Sequence, residues 1–532
     1  MSNNDSHDSE AGACACPEAG GTVLASVPWS WELRTLAARF GELIAVRDES
    51  GALSYVALCA RAHALAERLR VAGVRQGVSV ATLLPNSLAA AWTSCGVTLT
   101  GAAETPLSWG YTADEIAWSA RLAGFRIAVT LGERVPALRA LGVETIAVDD
   151  LADADPGATF APVPAAARGR IMFTSGTTGK PKGLIYSHGR RWIGNQLQKA
   201  ALPFAPGPGS RILLMTPYIH GAGLLACAWY DHGGEVLLHD GVDSARVRGL
   251  FETGELDALF APPTVLAKLA AAFGEARFSG VRCVFTGTAP LAHALYARAA
   301  AMFGPVVRIT YGKTECVNPI TVLAPAETHA HYTGEPRAEG CCLGWPSAGV
   351  EIEIREGDGE RLATGVEGEV WMRARHMSGG YLDADRYQPH PGGWHRSGDL
   401  RRLDERGRLW LTGRVADVIK TGGYRVNPDE IESCLAGLHG CGQVCVASLP
   451  SDYWGEVIVA IAEGASGDWS AEARMRVAAL SRHKHPRAYV SVAVLPRNAQ
   501  GKVSRSAVRE LVLATCDFAD GPYPALSPKA SA

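Results

Sequence analysis

Val78–Gly101, VSVATLLPNSLAAAWTSCGVTLTG, carries the reading that sets the fold class. Val78–Leu84 is an apolar run of strand length, and Pro85-Asn86 breaks it. From Ser87 to Gly101 the apolar residues return at helical spacing, with Asn86 a candidate cap. The unit recurs outward along the chain. Arg211–Thr216, Gly221–Asp231 and Glu235–Leu238 read as strand, helix and strand, and Val281–Phe285, Leu291–Phe303 and Val306–Thr310 repeat the pattern. Strands alternating with helices of about 10–15 residues imply crossover connections, so an α/β fold with parallel sheets is expected.

Beyond about residue 345 the texture changes. Val350–Arg355, Gly368–Arg373 and Arg408–Thr412 are short strand-like pieces separated by Gly, Asp and Pro, as in a small β subdomain, with Asp404–Gly407 as a turn. After them come Pro428–Leu438 (helix), Gln443–Ser448 and Val457–Ile461 (strands), Ala471–His483 (helix) and Ser491–Leu495 (strand), enough for a separate α+β domain. Gly413–Asp417 is a natural hinge. Residues 1–24 are polar and aperiodic, which reads as a disordered lead-in. The expected organisation is therefore residues 1–24 disordered, 25–414 a large domain of βαβ subdomains with a small β subdomain, and 415–525 a small mobile α+β domain.

Composition narrows the function. A chain of 532 residues holds more than one domain, and 47% hydrophobic with 20% charged residues is globular rather than fibrous or disordered. Fifty-one basic against 54 acidic side chains, a net charge of −3, give no field that would attract nucleic acid. No apolar run reaches membrane-spanning length, and the N-terminus is acidic and polar, which argues against a span or a secretory leader and for a cytoplasmic protein. The 13 cysteines are odd in number and lack repeated C-x-x-C spacing, so reduced thiols packed as small hydrophobes are expected. Cys434, Cys441 and Cys445 are the one group where a metal comes into question.

The chemistry concentrates in Ile171–Gly183, IMFTSGTTGKPKG. An apolar strand ends in hydroxyls, glycines that let backbone N–H groups approach an anion, and two lysines, the combination a polyphosphate needs. It is not a Walker A loop: two residues, not four, separate Gly176 from Gly179, and Pro181 follows the lysine.

With further segments in a fixed order, from about residue 25 to 515, the sequence resembles the adenylate-forming superfamily of acyl- and aryl-CoA ligases, peptide-synthetase adenylation domains and beetle luciferase. Thr174–Gly183 is similar to its phosphate loop, Tyr311-Gly312-Lys313-Thr314-Glu315 to its Y-G-x-T-E segment, and Ser397-Gly398-Asp399 to its T/S-G-D. Gly413-Arg414, Ile419–Val426 and Pro428–Glu432 resemble its interdomain segment, and Asn498–Arg505 its C-terminal N-x-x-G-K-x-x-R.

The resemblance implies an enzyme that uses ATP and Mg²⁺ to turn a carboxylate into an acyl-adenylate, then passes it to the thiol of coenzyme A. Thr174, Ser175, Gly176, Thr177, Thr178, Gly179, Lys180 and Lys182 would hold phosphates, and Gly287, Thr288, Tyr311, Gly312, Thr314, Asp399 and Arg414 the rest of the nucleotide. Within that set Tyr311 would stack on adenine, Thr314 would reach the α-phosphate, and Asp399, acceptor-only, suits two ribose hydroxyls. Glu315 is the implied Mg²⁺ ligand. Lys502, from the small domain, would bridge carboxylate and α-phosphate, and Lys420 joins Thr174, Glu315 and Lys502 among the catalytic candidates.

For the second half-reaction the small domain swings. Lys420-Thr421-Gly422-Gly423 resembles the CoA-ligase version, so Thr421, Gly422, Gly423 and His220 mark a thiol tunnel; a structural histidine at a helix start is the plain alternative for His220. The acid pocket would draw on Tyr218, His220, Gly221, Leu224, Thr286, Thr288, Lys313, Cys316 and Val317, a mixture that suits a medium-sized, cyclic or functionalised acid. Lys313 either pairs with an acidic group on that substrate or faces solvent. Ala416 stands at the hinge where the family carries Asp or Lys, which bears on domain alternation and not on adenylation. A carrier-protein phosphopantetheine could replace CoA as acceptor. A thiol-transfer-only enzyme fed by a partner and a non-catalytic acyl-adenylate or nucleotide sensor are the other classes. A homodimer is implied only by the resemblance.

Overall fold

The computed structural model describes residues 25–151, 159–174, 182–334, 341–357, 359–382, 391–414, 417–422, 424–498 and 501–529. The opening stretch forms the strand Ser79–Leu83 and the helix Leu88–Leu99. Asn86 does not cap that helix. Its amide donates to Leu214 O (3.2 Å) and His239 O (2.9 Å), and its Oδ1 accepts Tyr218 N (3.1 Å). An amide that can donate and accept at once here links two sheets, a task worth more than a cap that Ser87 occupies instead.

One sheet has seven strands, in the order Gly380–Tyr381, Lys182–Ser187, Arg168–Thr174, Ala103–Leu107, Ser79–Leu83, Ile127–Thr130, Glu144–Ala147. The last five run parallel, and Lys182–Ser187 turns back antiparallel on Arg168–Thr174. Ser79–Leu83 and Ala103–Leu107 are buried at every position, as parallel strands covered on both faces must be.

The second sheet has thirteen strands. Its parallel half is Val307–Lys313, Cys283–Gly287, Ala258–Phe260, Arg211–Leu214, Glu235–Leu238 and Ile44–Asp48. The short strands expected of the small β subdomain continue this sheet through Cys316–Leu323 and Cys341–Pro346 as antiparallel neighbours: Leu409–Arg414, His395–Leu403, Gly368–Ala374 and Val350–Arg355. Leu65, Leu69 and Val97 join Val80 of the first sheet to Ile212 and Val236 of the second, and to Trp229 of the helix Gly223–Tyr230, in one apolar core. The helices Tyr55–Val71 and Leu88–Leu99 cross closely there: a β-carbon on Gly96 would fall 2.8 Å from Ala62 O.

The C-terminal part is a five-stranded sheet built on Val444–Ser451 and Gly455–Glu463, with Ala488–Val492 parallel to the latter and the helices Pro428–Cys434, Trp469–Val477 and Arg505–Thr515 against it. Pro428–Cys434 ends sooner than its apolar pattern suggests, before the left-handed Gly437. A hairpin of Cys516–Ala519 and Ala525–Pro528 closes the chain. Among the described residues the cysteines are free, no group of three His, Cys, Asp or Glu could hold a metal, and no helix is long and apolar enough to cross a membrane. Burial pushes the Cys283 and Cys445 thiols up to about 12, as for inert packing residues.

Candidate active site

The phosphate-type segment sits on a hairpin. Arg168–Thr174 and Lys182–Ser187 pair with Thr174 opposite Lys182 at its mouth. The loop itself, Ser175, Gly176, Thr177, Thr178, Gly179 and Lys180, lies outside the described residues, as do Ala416 and Gly423. The Thr314-Glu315 turn is pinned to this hairpin. Tyr186 OH donates to Thr314 O, and Tyr381 OH, on the strand beside Lys182–Ser187, donates to Glu315 Oε1 at 2.8 Å. The Ser378 amide holds Glu315 O at 2.8 Å. Two tyrosines that the motif search passed over thus fix the turn; their only sequence signal is an aromatic in a strand next to the loop.

Asp399 stands at the other end. It is 5% exposed, and the buried Tyr311 hydroxyl donates to its Oδ2 at 2.5 Å. Burial and the adjacent carboxylate push the Tyr311 phenol well above its ordinary range, so it stays a donor. Ser397 Oγ accepts the Asp399 amide at 3.0 Å, and Arg414 lies opposite Asp399 across the strand pair. Lys313 does not face solvent. Its ammonium donates to Ser397 O and lies 3.4 Å from Asp399 Oδ2, because a buried carboxylate draws the nearest long cation.

Thr286, Gly287 and Thr288 end the strand Cys283–Gly287. A β-carbon on Gly287 would fall 2.5 Å from Thr310 O, so only glycine lets the two strands approach there. Thr288 is the one non-glycine residue with positive φ (69°) among those described, a costly conformation for a β-branched side chain. That turn presents Thr288 O outward, and Lys502 Nζ, from the C-terminal part, donates to it at 2.6 Å.

On the acid side, Tyr218 is buried and its backbone is held by Asn86. The expected helix from Gly221 starts instead at Gly223, after an irregular turn, Tyr218–Ala222, in which His220 departs from helical φ and ψ. His220 is open to solvent yet surrounded by protein atoms. Desolvation, with the Arg170 guanidinium nearby, lowers its pKa to about 4, so the imidazole is neutral at pH 7. Gly221 and Leu224 are partly exposed beside it. Thr286 Oγ1 and Thr216 Oγ1 are buried with no protein hydrogen-bond partner among the described residues. Cys316 is fully buried, 3.5 Å from His376 Nε2.

On the C-terminal part, Lys420 N is held by Glu456 Oε2 at 2.6 Å, Thr421 is buried, and Gly422 (φ 55°) leaves 3.1 Å between an ideal β-carbon and the Trp454 ring. Next to this segment opens a cleft of ≈ 680 Å³ lined by Tyr424, Arg474, Arg482, His483, His485 and Arg487, with Pro522–Pro524 of the final hairpin as a wall. Tyr424 stacks on His483 with centroids 4.3 Å apart, and the Arg487 guanidinium lies 3.5 Å over Trp454. The basic run Arg482–Arg487 was its signal in the sequence.

A family model described as AMP-binding enzyme matches residues 33–382. The chain belongs to that family. Among AMP-binding relatives, the long-chain-fatty-acid–CoA ligase FadD13 of Mycobacterium tuberculosis is 28% identical over 489 residues, covering 87% of this chain and 94% of that protein. Feruloyl-CoA synthase of an Amycolatopsis species is 29% identical over 494 residues, covering 90% and 98%. The o-succinylbenzoate-CoA synthetase MenE of Bacillus subtilis, solved with its acyl-adenylate intermediate, superposes with a TM-score of 0.81 at 25% identity, covering 92% of this chain and 99% of that one. The same enzyme has been solved with ATP and a magnesium ion, with a TM-score of 0.80 at 25% identity and coverage of 91% and 100%.

For an AMP-binding enzyme the donor set fits Mg²⁺ in one way. Among the described residues Glu315 belongs to no group of three metal-type side chains, so it suits a hard cation ligated mainly by phosphate oxygens and water. Lys313 gives a first prediction. Lys313→Met is expected to raise the KM for ATP about 10-fold and leave the KM for the acid and the acid preference within about 2-fold, since one charge-assisted contact to the buried Asp399 is worth about 1.5 kcal/mol. Initial-rate kinetics over both substrates check it, and a changed acid preference contradicts it.

Proposed function

We propose that this chain is an AMP-forming carboxylic acid–CoA ligase whose two half-reactions use opposite faces of the C-terminal part, residues 415–525, against residues 25–414. In the first, a carboxylate oxygen attacks the α-phosphorus of ATP, pyrophosphate leaves, and acyl-AMP forms. In the second, the CoA thiol sulfur, its proton lost, attacks the acyl carbon and AMP leaves. One observation carries the reading: Lys502, from the C-terminal part, reaches across to Thr288 O at 2.6 Å, at the end of the strand Cys283–Gly287 that pairs with the strand carrying Tyr311.

The roles follow from chemistry. A carboxylate and an α-phosphate repel each other, and a lysine between them offsets the charge that builds as they join. Asp399 accepts the ribose hydroxyls, and Thr174, Lys180 and Lys182 cradle the leaving pyrophosphate; bound Mg²⁺ would screen the phosphate charge. A neutral His220 leaves the acid entrance free of a competing cation. The buried aromatic Tyr218 beside the small, partly exposed Gly221 favours a ring-bearing acid over a straight chain. ATP and CoA are intracellular metabolites, which fits a cytoplasmic enzyme.

CoA is preferred over a carrier-bound pantetheine because of the basic cleft beside Gly422. Its arginines and stacked aromatics suit the adenine and the additional phosphates of CoA, which a carrier-bound phosphopantetheine lacks. Arg487→Ala is expected to raise the KM for CoA about 10-fold and to leave the KM for free pantetheine unchanged. Equal effects on both thiols would contradict this. The reading as a whole is tested by exchange of labelled pyrophosphate into ATP and by CoA-dependent AMP release over aryl, alicyclic, fatty and β-amino acids, repeated with carrier protein in place of CoA. A transfer-only enzyme shows no exchange, and a sensor shows no turnover.

A further inference from the structure

Arg505, the first residue of the helix Arg505–Thr515, lies three positions after Lys502. Its guanidinium makes four hydrogen bonds. Nη1 bonds Asp417 Oδ2 at 2.6 Å, Nη2 bonds Glu432 Oε2 at 2.8 Å and Asp429 Oδ1, and Nε bonds Val446 O at 3.2 Å. All four partners belong to the C-terminal part, and the ionic groups are 22–24% exposed. Asp417 directly follows the hinge position, and Asp429 and Glu432 lie on the helix Pro428–Cys434. Glu432 is itself fixed, its Oε1 accepting Val446 N at 2.7 Å.

The two candidate catalytic lysines of this lobe, Lys420 and Lys502, are held differently. Lys420 lies on a strand, Ile419–Thr421, laddered to Tyr424–Val426 and to Gly455, with its amide on Glu456. Strand pairing and the Glu456 carboxylate set its place. Lys502 sits in a turn closed on itself, Asn498 Oδ1 accepting Lys502 N at 3.0 Å and Lys502 O accepting Asn498 N at 2.8 Å. On its N-terminal side Arg497 ties that turn to Gln443 Oε1 at 3.1 Å and Glu463 Oε2 at 3.0 Å, and holding its direction takes a second tie on the other side. The forked, planar guanidinium of Arg505 supplies one that a lysine cannot copy.

We infer that Arg505 is a positioning residue for adenylation: its clamp on Asp417, Asp429 and Glu432 aims Lys502 at the acyl-phosphate junction and leaves the thioester half-reaction untouched. This rests on the role proposed above for Lys502. The three carboxylates would repel one another if the guanidinium were deleted, so Arg505→Ala is the wrong probe and Arg505→Lys, which keeps the charge and loses the fork, is the right one.

The test measures the two half-reactions apart, pyrophosphate exchange for adenylation and CoA-dependent AMP release from synthetic acyl-AMP for transfer. For Arg505→Lys the expected result is an exchange kcat lowered about 10- to 100-fold, with the KM values for ATP and acid within about 3-fold of the parent, and transfer within about 3-fold. Glu432→Gln, a neutral isostere that leaves Arg505 in place, is expected to show a smaller loss with the same split, and stands in if Arg505→Lys does not fold. Equal losses in both half-reactions, or none in either, overturn the proposal. A Lys502→Ala control separates the two claims. If it retains exchange, the role of Lys502 has failed; if it loses exchange while Arg505→Lys keeps it, only the clamp has.

Discussion

Lys502→Ala is expected to lower adenylate formation about 10²- to 10³-fold while CoA-dependent release of AMP from preformed acyl-AMP falls less than about 3-fold. The size follows from position. Lys502 Nζ already lies 2.6 Å from Thr288 O, at the edge of the cleft where carboxylate and α-phosphate would meet, so little reorganisation is needed before reaction. Removing one preorganised charged donor at such a junction typically costs about 3–4 kcal/mol in the transition state and much less in the ground state. The KM values for ATP and acid should therefore move little. In the proposed scheme thioester formation presents another face of the same lobe, with Lys420 and Gly422, and makes no use of Lys502. Pyrophosphate exchange and single-turnover thioester assays on one preparation check the split, and equal loss in both would contradict it.

Asp399→Asn is expected to raise the KM for ATP about 10²-fold, with the KM for the acid nearly unchanged. The carboxylate is 5% exposed and already receives the Tyr311 hydroxyl and the Lys313 ammonium on Oδ2. Ribose hydroxyls would add more donors. An asparagine offers one acceptor and one NH₂, which turns at least one donor against another donor in a site that water cannot screen, and such a mismatch costs about 3 kcal/mol. The Lys313 ammonium would also lose its anion, so Lys313→Met in the Asp399→Asn background should cost less than the two changes summed. Calorimetric titration with ATP and the ATP dependence of exchange measure it. An unchanged ATP affinity with a weakened acid would place the nucleotide elsewhere.

Much of this was legible in the sequence. Strand–helix alternation around Val78–Gly101 marked the parallel sheets, and Glu235–Leu238 and Val350–Arg355 have the expected ends because both begin and stop at residues that punctuate strands. What stayed hidden was set by distant partners. Asn86 looked like a cap because capping is local, whereas its three bonds run to residues about 130–150 positions away. Lys313 sits at the variable place of its motif, and only the fold brings Asp399 beside it. Tyr186 and Tyr381 belong to no motif; their roles come from which strands neighbour the hairpin. The Arg505 clamp joins segments almost ninety residues apart, and no spacing rule foretells it.

A crystal structure with a non-hydrolysable acyl-sulfamoyl adenosine tests the central claim most directly. The account predicts adenine against Tyr311, ribose hydroxyls on Asp399, and the sulfamoyl group between the Thr174–Lys182 hairpin and the Lys502 ammonium. An inhibitor bound away from the hairpin and Asp399 would contradict it.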